Sequence, residues 1–348
     1  MTLLIATPEA IFVGFLQSPL SHFRHLRSRT DHRRTGRVES VLAIVAPGQG
    51  AQTPGFLTAW LEEPTFRTRL EWLSAVADID LVAHGTTSDE ETIRDTAVAQ
   101  PLLVASALAS AEQLSPTTTG LAGVVAGHSV GELAAAAMTG VVSVESAIVL
   151  VRERGRSMAE ASAITPTSMT AIIGGDREEV LAAIEAVGLT PANNNGPGQI
   201  VAAGTLEQLA ALADEPPHRA RLRPLSVAGA FHTHHMAPAV ARLKALAGAV
   251  PTEDPHTSLL SNADGEVVPS GRDYLERLVK QVANPVRWDL CMETMSTLGV
   301  TGILELTPAG TLTGIAKRSL KGVELFNLNT PDQLDEARVF CATHSAKD

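Results

Sequence analysis

Hydrophobic positions in this chain fall into short unbroken runs that alternate with longer amphipathic stretches. Val41-Leu42-Ala43-Ile44-Val45-Ala46 is apolar throughout and stops at Pro47-Gly48, the pattern of a strand buried on both faces of a parallel sheet. Residues 121–126 repeat that pattern and run through Gly127-His128-Ser129-Val130-Gly131 into 132–138, a run of good helix formers. Helical spacing predicts further helices over 56–76 and 90–114, the second broken near Pro101. Ser143 suits the cap of another helix, running through Met158. Between about 169 and 227 the rhythm becomes strand 170–173, helix 178–187, strands 189–192 and 199–203, helix 206–213, and strand 222–227. That βαββαβ order predicts a small ferredoxin-like unit inserted into a larger domain. Helices over 274–282, 288–298 and 311–320 then alternate with strands over 302–306 and 323–327, and a last helix starts near Pro331.

The Gly-x-Ser-x-Gly at 127–131 gains meaning from its flanks. A buried strand, a sharp turn and a helix are the setting of a nucleophile elbow, in which Ser129 stands clear of the sheet at the positive end of a helix. The competing reading is a strand-to-helix turn that happens to contain serine. With the elbow, the expected fold class is α/β: a large α/β-hydrolase-like domain with a parallel sheet over 40–166 and 228–348, and the ferredoxin-like insert over 167–227. Residues 1–39 are set apart as a leader expected to be disordered, an over-extended start and a targeting segment being the other readings.

On the helix that Ser143 opens, Ala147, Val151, Arg154 and Met158 share one face. Arg154 therefore sits on an apolar stripe, where a guanidinium needs a carboxylate, either in a structural ion pair or from a ligand. Gly229-Ala230-Phe231-His232-Thr233-His234-His235-Met236 follows the insert. No acidic or cysteine pattern completes a zinc set there, and one of these histidines could serve Ser129 as base. The glycine turn at 48–50 lacks both the lysine of a phosphate loop and the third glycine of a dinucleotide fingerprint.

Composition narrows the partners. The formal charge of −11 divides into +3 over residues 1–39 and −14 beyond them, so nucleic acid is not an expected partner. No apolar run reaches the length of a membrane span. Cys291 and Cys341 form neither a metal spacing nor a disulfide framework, which predicts a reducing, cytoplasmic setting.

Six blocks then occur in a telling order. Residues 47–52 (Pro-Gly-Gln-Gly-Ala-Gln), 127–132 (Gly-His-Ser-Val-Gly-Glu), Arg154-Gly155, 195–199 (Asn-Gly-Pro-Gly-Gln), Phe231-His232 and 281–286 (Gln-Val-Ala-Asn-Pro-Val) resemble the motifs of malonyl-CoA:acyl carrier protein transacylases, from about Val41 to about Leu320. The resemblance implies a ping-pong transfer with Ser129 as nucleophile and His232 as base and later acid. It implies that the main-chain carbonyl of Gln281 orients His232, and that the backbone N–H groups of Gln49 and Val130 hold the oxyanion. Arg154 is implied to bind the malonyl carboxylate, and Phe231, with the apolar Val130, to favour malonyl over methylmalonyl. Gly196 departs from the serine frequent in that block; the turn either lines the cleft or is only a hairpin. The implied substrates are malonyl-CoA and the phosphopantetheine thiol of a holo acyl carrier protein, with no bound cofactor and no metal. Lys317, Arg318 and Lys321 are either a patch for the acidic carrier protein or a solvated helix face. A serine hydrolase or thioesterase acting on acyl-CoA is the alternative, and a non-catalytic protein that kept the fold is a third reading.

Overall fold

The computed structural model describes residues 40–115, 120–227 and 229–345, so the expectations for residues 1–39 lie outside the described residues. Strand β1 (Val41–Ala46) is followed by helices α1 (Pro64–Ala77), α2 (Leu81–Thr86), α3 (Glu90–Arg94) and α4 (Thr96–Leu114). Strand β2 (Val124–Gly127) leads into α5 (Gly131–Met138) and α6 (Val144–Ser162). The middle of the chain is β3 (Thr167–Gly174), α7 (Arg177–Ala186), β4 (Thr190–Asn194), β5 (Gln199–Thr205), α8 (Leu206–Asp214) and β6 (Ala220–Pro224). Then come α9 (Ala237–Ala249), β7 (Ser258–Leu259), α10 (Gly271–Gln281), β8 (Val286–Arg287), α11 (Trp288–Thr297) and β9 (Val300–Glu305). Helix α12 (Thr311–Ser319), strand β10 (Glu324–Asn327) and helix α13 (Leu334–His344) close the set.

Five strands form a parallel sheet in the order β10-β9-β1-β2-β7. Strand β1 is apolar at every position because both its faces are covered. Leu42, Ile44 and Ala46 point into the main core, while Ala43 and Val45 point into a second cluster with Trp288, Met292 and Ile315. The second sheet runs β6-β3-β5-β4-β8 and is antiparallel except where β8 joins β4. One of its faces packs Ile172, Ile200, Val180, Ile184 and Leu212 into a small separate core. The other sends Met169, Ala171 and Val201 into the main core.

The helix boundaries correct two expectations and add one helix. The helix expected over 56–76 begins only at Pro64, whose fixed φ and missing N–H suit a first turn. The stretch 90–114 breaks at Asp95 and not at Pro101. Asp95 ends α3 and caps α4 by accepting the Ala97 N–H at 2.7 Å, whereas Pro101 sits inside α4, a helix buried along almost its whole length. Burial outweighs the loss of one helical hydrogen bond there. Helix α9 occupies a stretch to which the sequence reading assigned no element. Ser143 does cap α6, accepting the Ser146 N–H at 3.1 Å. Among the described residues no helix is long and apolar enough to cross a membrane.

Candidate active site

The carboxyl ends of the neighbouring strands β1 and β2 open side by side, the place where parallel α/β sheets hold their ligands. Beyond β2 the backbone turns so tightly that a Cβ on Gly127 would strike the Gly131 carbonyl, and one on Gly131 would strike the Ala46 carbonyl. Ser129 at the apex has φ 53°, a left-handed conformation that costs a non-glycine residue about 1–2 kcal/mol. Asn262, just past β7, straps the turn: its Oδ1 accepts the Ser129 N–H at 2.8 Å and its Nδ2 donates to the Gly127 carbonyl at 2.9 Å. The Ser129 N–H is thereby occupied. The N–H groups of Val130 and Gln49 make no hydrogen bond among the described residues.

His232, 103 residues further on, brings its Nε2 to 2.8 Å from Ser129 Oγ. It too is left-handed, with φ 62°. Its Nδ1 lies 2.8 Å from the main-chain carbonyl of Gln281. A carbonyl only accepts, so Nδ1 carries the proton and Nε2 is left to accept from the serine hydroxyl. Burial pushes the imidazole pKa down to about 3, the nearby Arg154 charge adding to the effect and the Gln281 carbonyl opposing it. His232 is thus neutral at physiological pH.

Arg154 is 1% exposed, on the stripe its spacing predicts. Its Nη1 donates to Gln100 Oε1 at 2.7 Å, and its Nη2 to Gln281 Oε1 at 3.0 Å and Ser129 Oγ at 3.3 Å. Nε is buried with no acceptor among the described residues, and no carboxylate among them forms an ion pair with Arg154. Burial draws the guanidinium down to about 10, while Glu132 nearby pulls the other way. Two amide oxygens thus stand where the spacing argument demanded a carboxylate.

His128 leaves the elbow in another direction, as expected. Its Nε2 meets Asn195 Oδ1 at 2.9 Å, its ring stands edge-on to Trp288, and burial lowers its pKa. His128, Asn195, Gln49 and Gln199 line a cavity of about 580 Å³ between the two sheets, so the glycine turn at 195–199 borders this cleft.

Residues 44–328 match the family of the acyl transferase domain. The chain is 50% identical over 299 residues to the malonyl CoA-acyl carrier protein transacylase of Mycobacterium tuberculosis, covering 85% of this chain and 99% of that one. The chain belongs to the acyl transferase family of malonyl CoA-acyl carrier protein transacylases. The Escherichia coli K12 relative is 31% identical over 302 residues, covering 85% of this chain and 98% of that one. A crystal structure of MCAT from Mycobacterium tuberculosis superposes with a TM-score of 0.82 at 49% identity, covering 85% of this chain and 99% of that chain. A type II PKS acyl-carrier protein in complex with its malonyl-transacylase gives 0.79 at 32% identity, covering 86% and 99%.

The acyl transferase fold brings Ser129, His232, Arg154 and Gln281 together, with the free N–H groups of Val130 and Gln49 at the same strand ends. Phe231 is buried in the main core next to His232, with its ring against Gly229; like Ser129, His232 and Arg154, it lies outside the lining of the cavity. The rings of His234 and His235 lie against each other, 4.1 Å apart and tilted by 34°, away from these contacts. Among the described residues no three His, Cys, Asp or Glu side chains are grouped to hold a metal ion. The sequence reading gave no role to Gln100 or Asn262. Gln100 did leave a signal, an amide side chain in a stretch (97–105) that is otherwise apolar. Asn262 left none, being an isolated residue in an irregular segment.

Proposed function

We propose that the protein transfers a malonyl group from malonyl-CoA to the phosphopantetheine thiol of an acyl carrier protein through malonyl-Ser129. The observation that carries this is the position of Ser129 Oγ, hydrogen-bonded at once to His232 Nε2 (2.8 Å) and to Arg154 Nη2 (3.3 Å). In the first half-reaction Oγ attacks the thioester carbonyl as its proton passes to His232 Nε2. The Gln49 and Val130 N–H groups receive the oxyanion, a contribution of about 3–4 kcal/mol per donor in other serine enzymes. Collapse breaks the C–S bond, and His232 returns its proton to the departing CoA thiolate. In the second half-reaction the carrier-protein thiol gives its proton to His232, attacks malonyl-Ser129, and Oγ leaves with the proton.

Arg154 selects the acyl group by pairing its fork with the malonyl carboxylate, the anion that its burial calls for. A hydrolase of neutral esters has no use for this cation, and the relatives lend the hydrolase alternative no support. The antiparallel order β6-β3-β5-β4, with α7 and α8 on one face, supports reading 167–227 as a ferredoxin-like insert in an α/β-hydrolase-like domain of residues 40–166 and 228–348. Two free, buried cysteines fit a cytoplasmic setting. The whole reading is tested by intact mass after mixing with malonyl-CoA. A malonyl adduct on Ser129 that holo carrier protein discharges supports it, and release of malonate to water in place of transfer overturns it.

Phe231, beside the base, is proposed to exclude an α-methyl group by filling space. Phe231→Ser is then expected to narrow the malonyl over methylmalonyl ratio of kcat/KM by about 1–3 kcal/mol. An unchanged ratio in a folded variant removes Phe231 from the account. For the carrier protein we propose docking at α12, whose Leu312 and Ile315 line the cavity while Lys317 and Arg318, with Lys321 just beyond, are exposed. Reversing these charges is expected to raise KM for carrier protein and spare malonyl-CoA; equal effects on both reject the patch.

A pH profile tests the base. Because burial holds His232 well below 6.5, its neutral form persists as pH falls, and acylation of Ser129 by acetyl-CoA, which has no carboxylate for Arg154 to hold, should show no acid limb between pH 7 and 5. An acid limb near 6.5 with that substrate contradicts this.

A further inference from the structure

Glu132 takes no part in these half-reactions, yet it is 1% exposed and lies at the centre of the site's hydrogen bonds. Its Oε1 accepts the Asn262 N–H at 2.6 Å, and its Oε2 accepts from Gln281 Nε2 at 2.5 Å. The Gln281 amide can be oriented in only one way here. Three acceptors surround its nitrogen: Glu132 Oε2, Asn262 Oδ1 at 3.1 Å and the Ser129 carbonyl at 3.5 Å. A donor, Arg154 Nη2, faces its oxygen at 3.0 Å. Turning the amide over would set its NH2 against the guanidinium and its oxygen against a carboxylate.

We infer that Glu132 is a positioning residue for the acyl-carboxylate site: through the Gln281 amide it holds Arg154 in the orientation that receives a carboxylate beside Ser129. The inference deepens the acyl-transfer reading and rests on it. A carboxylate suits the task because it accepts only, so it cannot offer Gln281 a donor. Keeping the negative charge one residue away matters equally. It offsets the buried guanidinium, while a direct ion pair would occupy the N–H groups the substrate needs. Burial raises the Glu132 carboxyl to about 8, against the pull of the Asn262 N–H and the Arg154 charge. A donor on each oxygen is the geometry of the ionised form.

The test compares malonyl-CoA with acetyl-CoA, which lacks the carboxylate, in single-turnover acylation of Ser129 followed by intact mass at pH 8.5. In Glu132→Gln the new amide has the same shape but can turn its NH2 to Gln281. The malonyl over acetyl ratio of kcat/KM should fall about tenfold or more, the scale of a lost hydrogen bond to a charged group. A purely structural role lowers both substrates in proportion, so a folded variant with an unchanged ratio overturns the inference. Should Glu132→Gln fail to fold, Gln281→Met, which keeps the main-chain carbonyl for His232, must show the same fall in ratio, and an unchanged ratio there overturns it. In the double variant the ratio should fall no further than in either single, because the two residues act in series; additive falls also count against it. Wild-type protein that forms no malonyl-Ser129 overturns the acyl-transfer reading itself, whereas acylation with the ratio kept in the variants overturns the positioning role alone.

Discussion

Ser129→Ala is expected to abolish the acyl-enzyme and to lower malonyl transfer by at least about 10⁴-fold, as loss of the nucleophile does in other serine enzymes. The effect is large because Ser129 Oγ is the hydroxyl hydrogen-bonded to His232 Nε2. Structure should survive, since alanine keeps the N–H that Asn262 grips. Removing Oγ also frees Arg154 Nη2 of one acceptor, so malonyl-CoA should still bind. Intact mass, a transfer assay and direct binding separate these effects. A variant that still forms a malonyl adduct places the nucleophile elsewhere and sinks the two-step scheme.

Arg154→Ala is expected to cost malonyl-CoA about 10²–10³-fold in kcat/KM, the usual range when one partner of a buried charged pair is removed. Acetyl-CoA lacks the carboxylate and should lose far less, so selectivity collapses along with rate. Lysine should not restore it. An ammonium presents one point of charge, whereas Arg154 reaches Gln100 and Gln281 with separate nitrogens and leaves Nε for a third contact. Equal losses for the two substrates would instead mark Arg154 as a structural cation.

How much of this was legible in the chain depends on how local the physics is. The elbow was legible because strand, glycines and helix are contiguous, and a backbone that must pass Gly131 against Ala46 admits no Cβ. The burial of Arg154 was legible because helical periodicity alone sets the face of α6 that meets the core. The start of α6 follows from short-range capping by Ser143, whereas the break that Pro101 suggests lies at Asp95. That error is instructive. A proline announces itself in sequence, whereas the cost it imposes is overridden by burial that only packing supplies.

By itself, then, the sequence determined where chain direction changes, which helix face is apolar, and which residue types recur in the order of an acyl transferase. It could not determine what meets Arg154, because both acceptors come from afar: Gln100 is 54 residues away and Gln281 is 127. Nor could it show that Asn262 occupies the Ser129 N–H while those of Val130 and Gln49 stay free, or that Glu132 sets the Gln281 amide. Those are orientations of donors and acceptors across distant elements. They have no sequence period, and they are decided only when the sheets and helices pack and every buried polar group must find a partner.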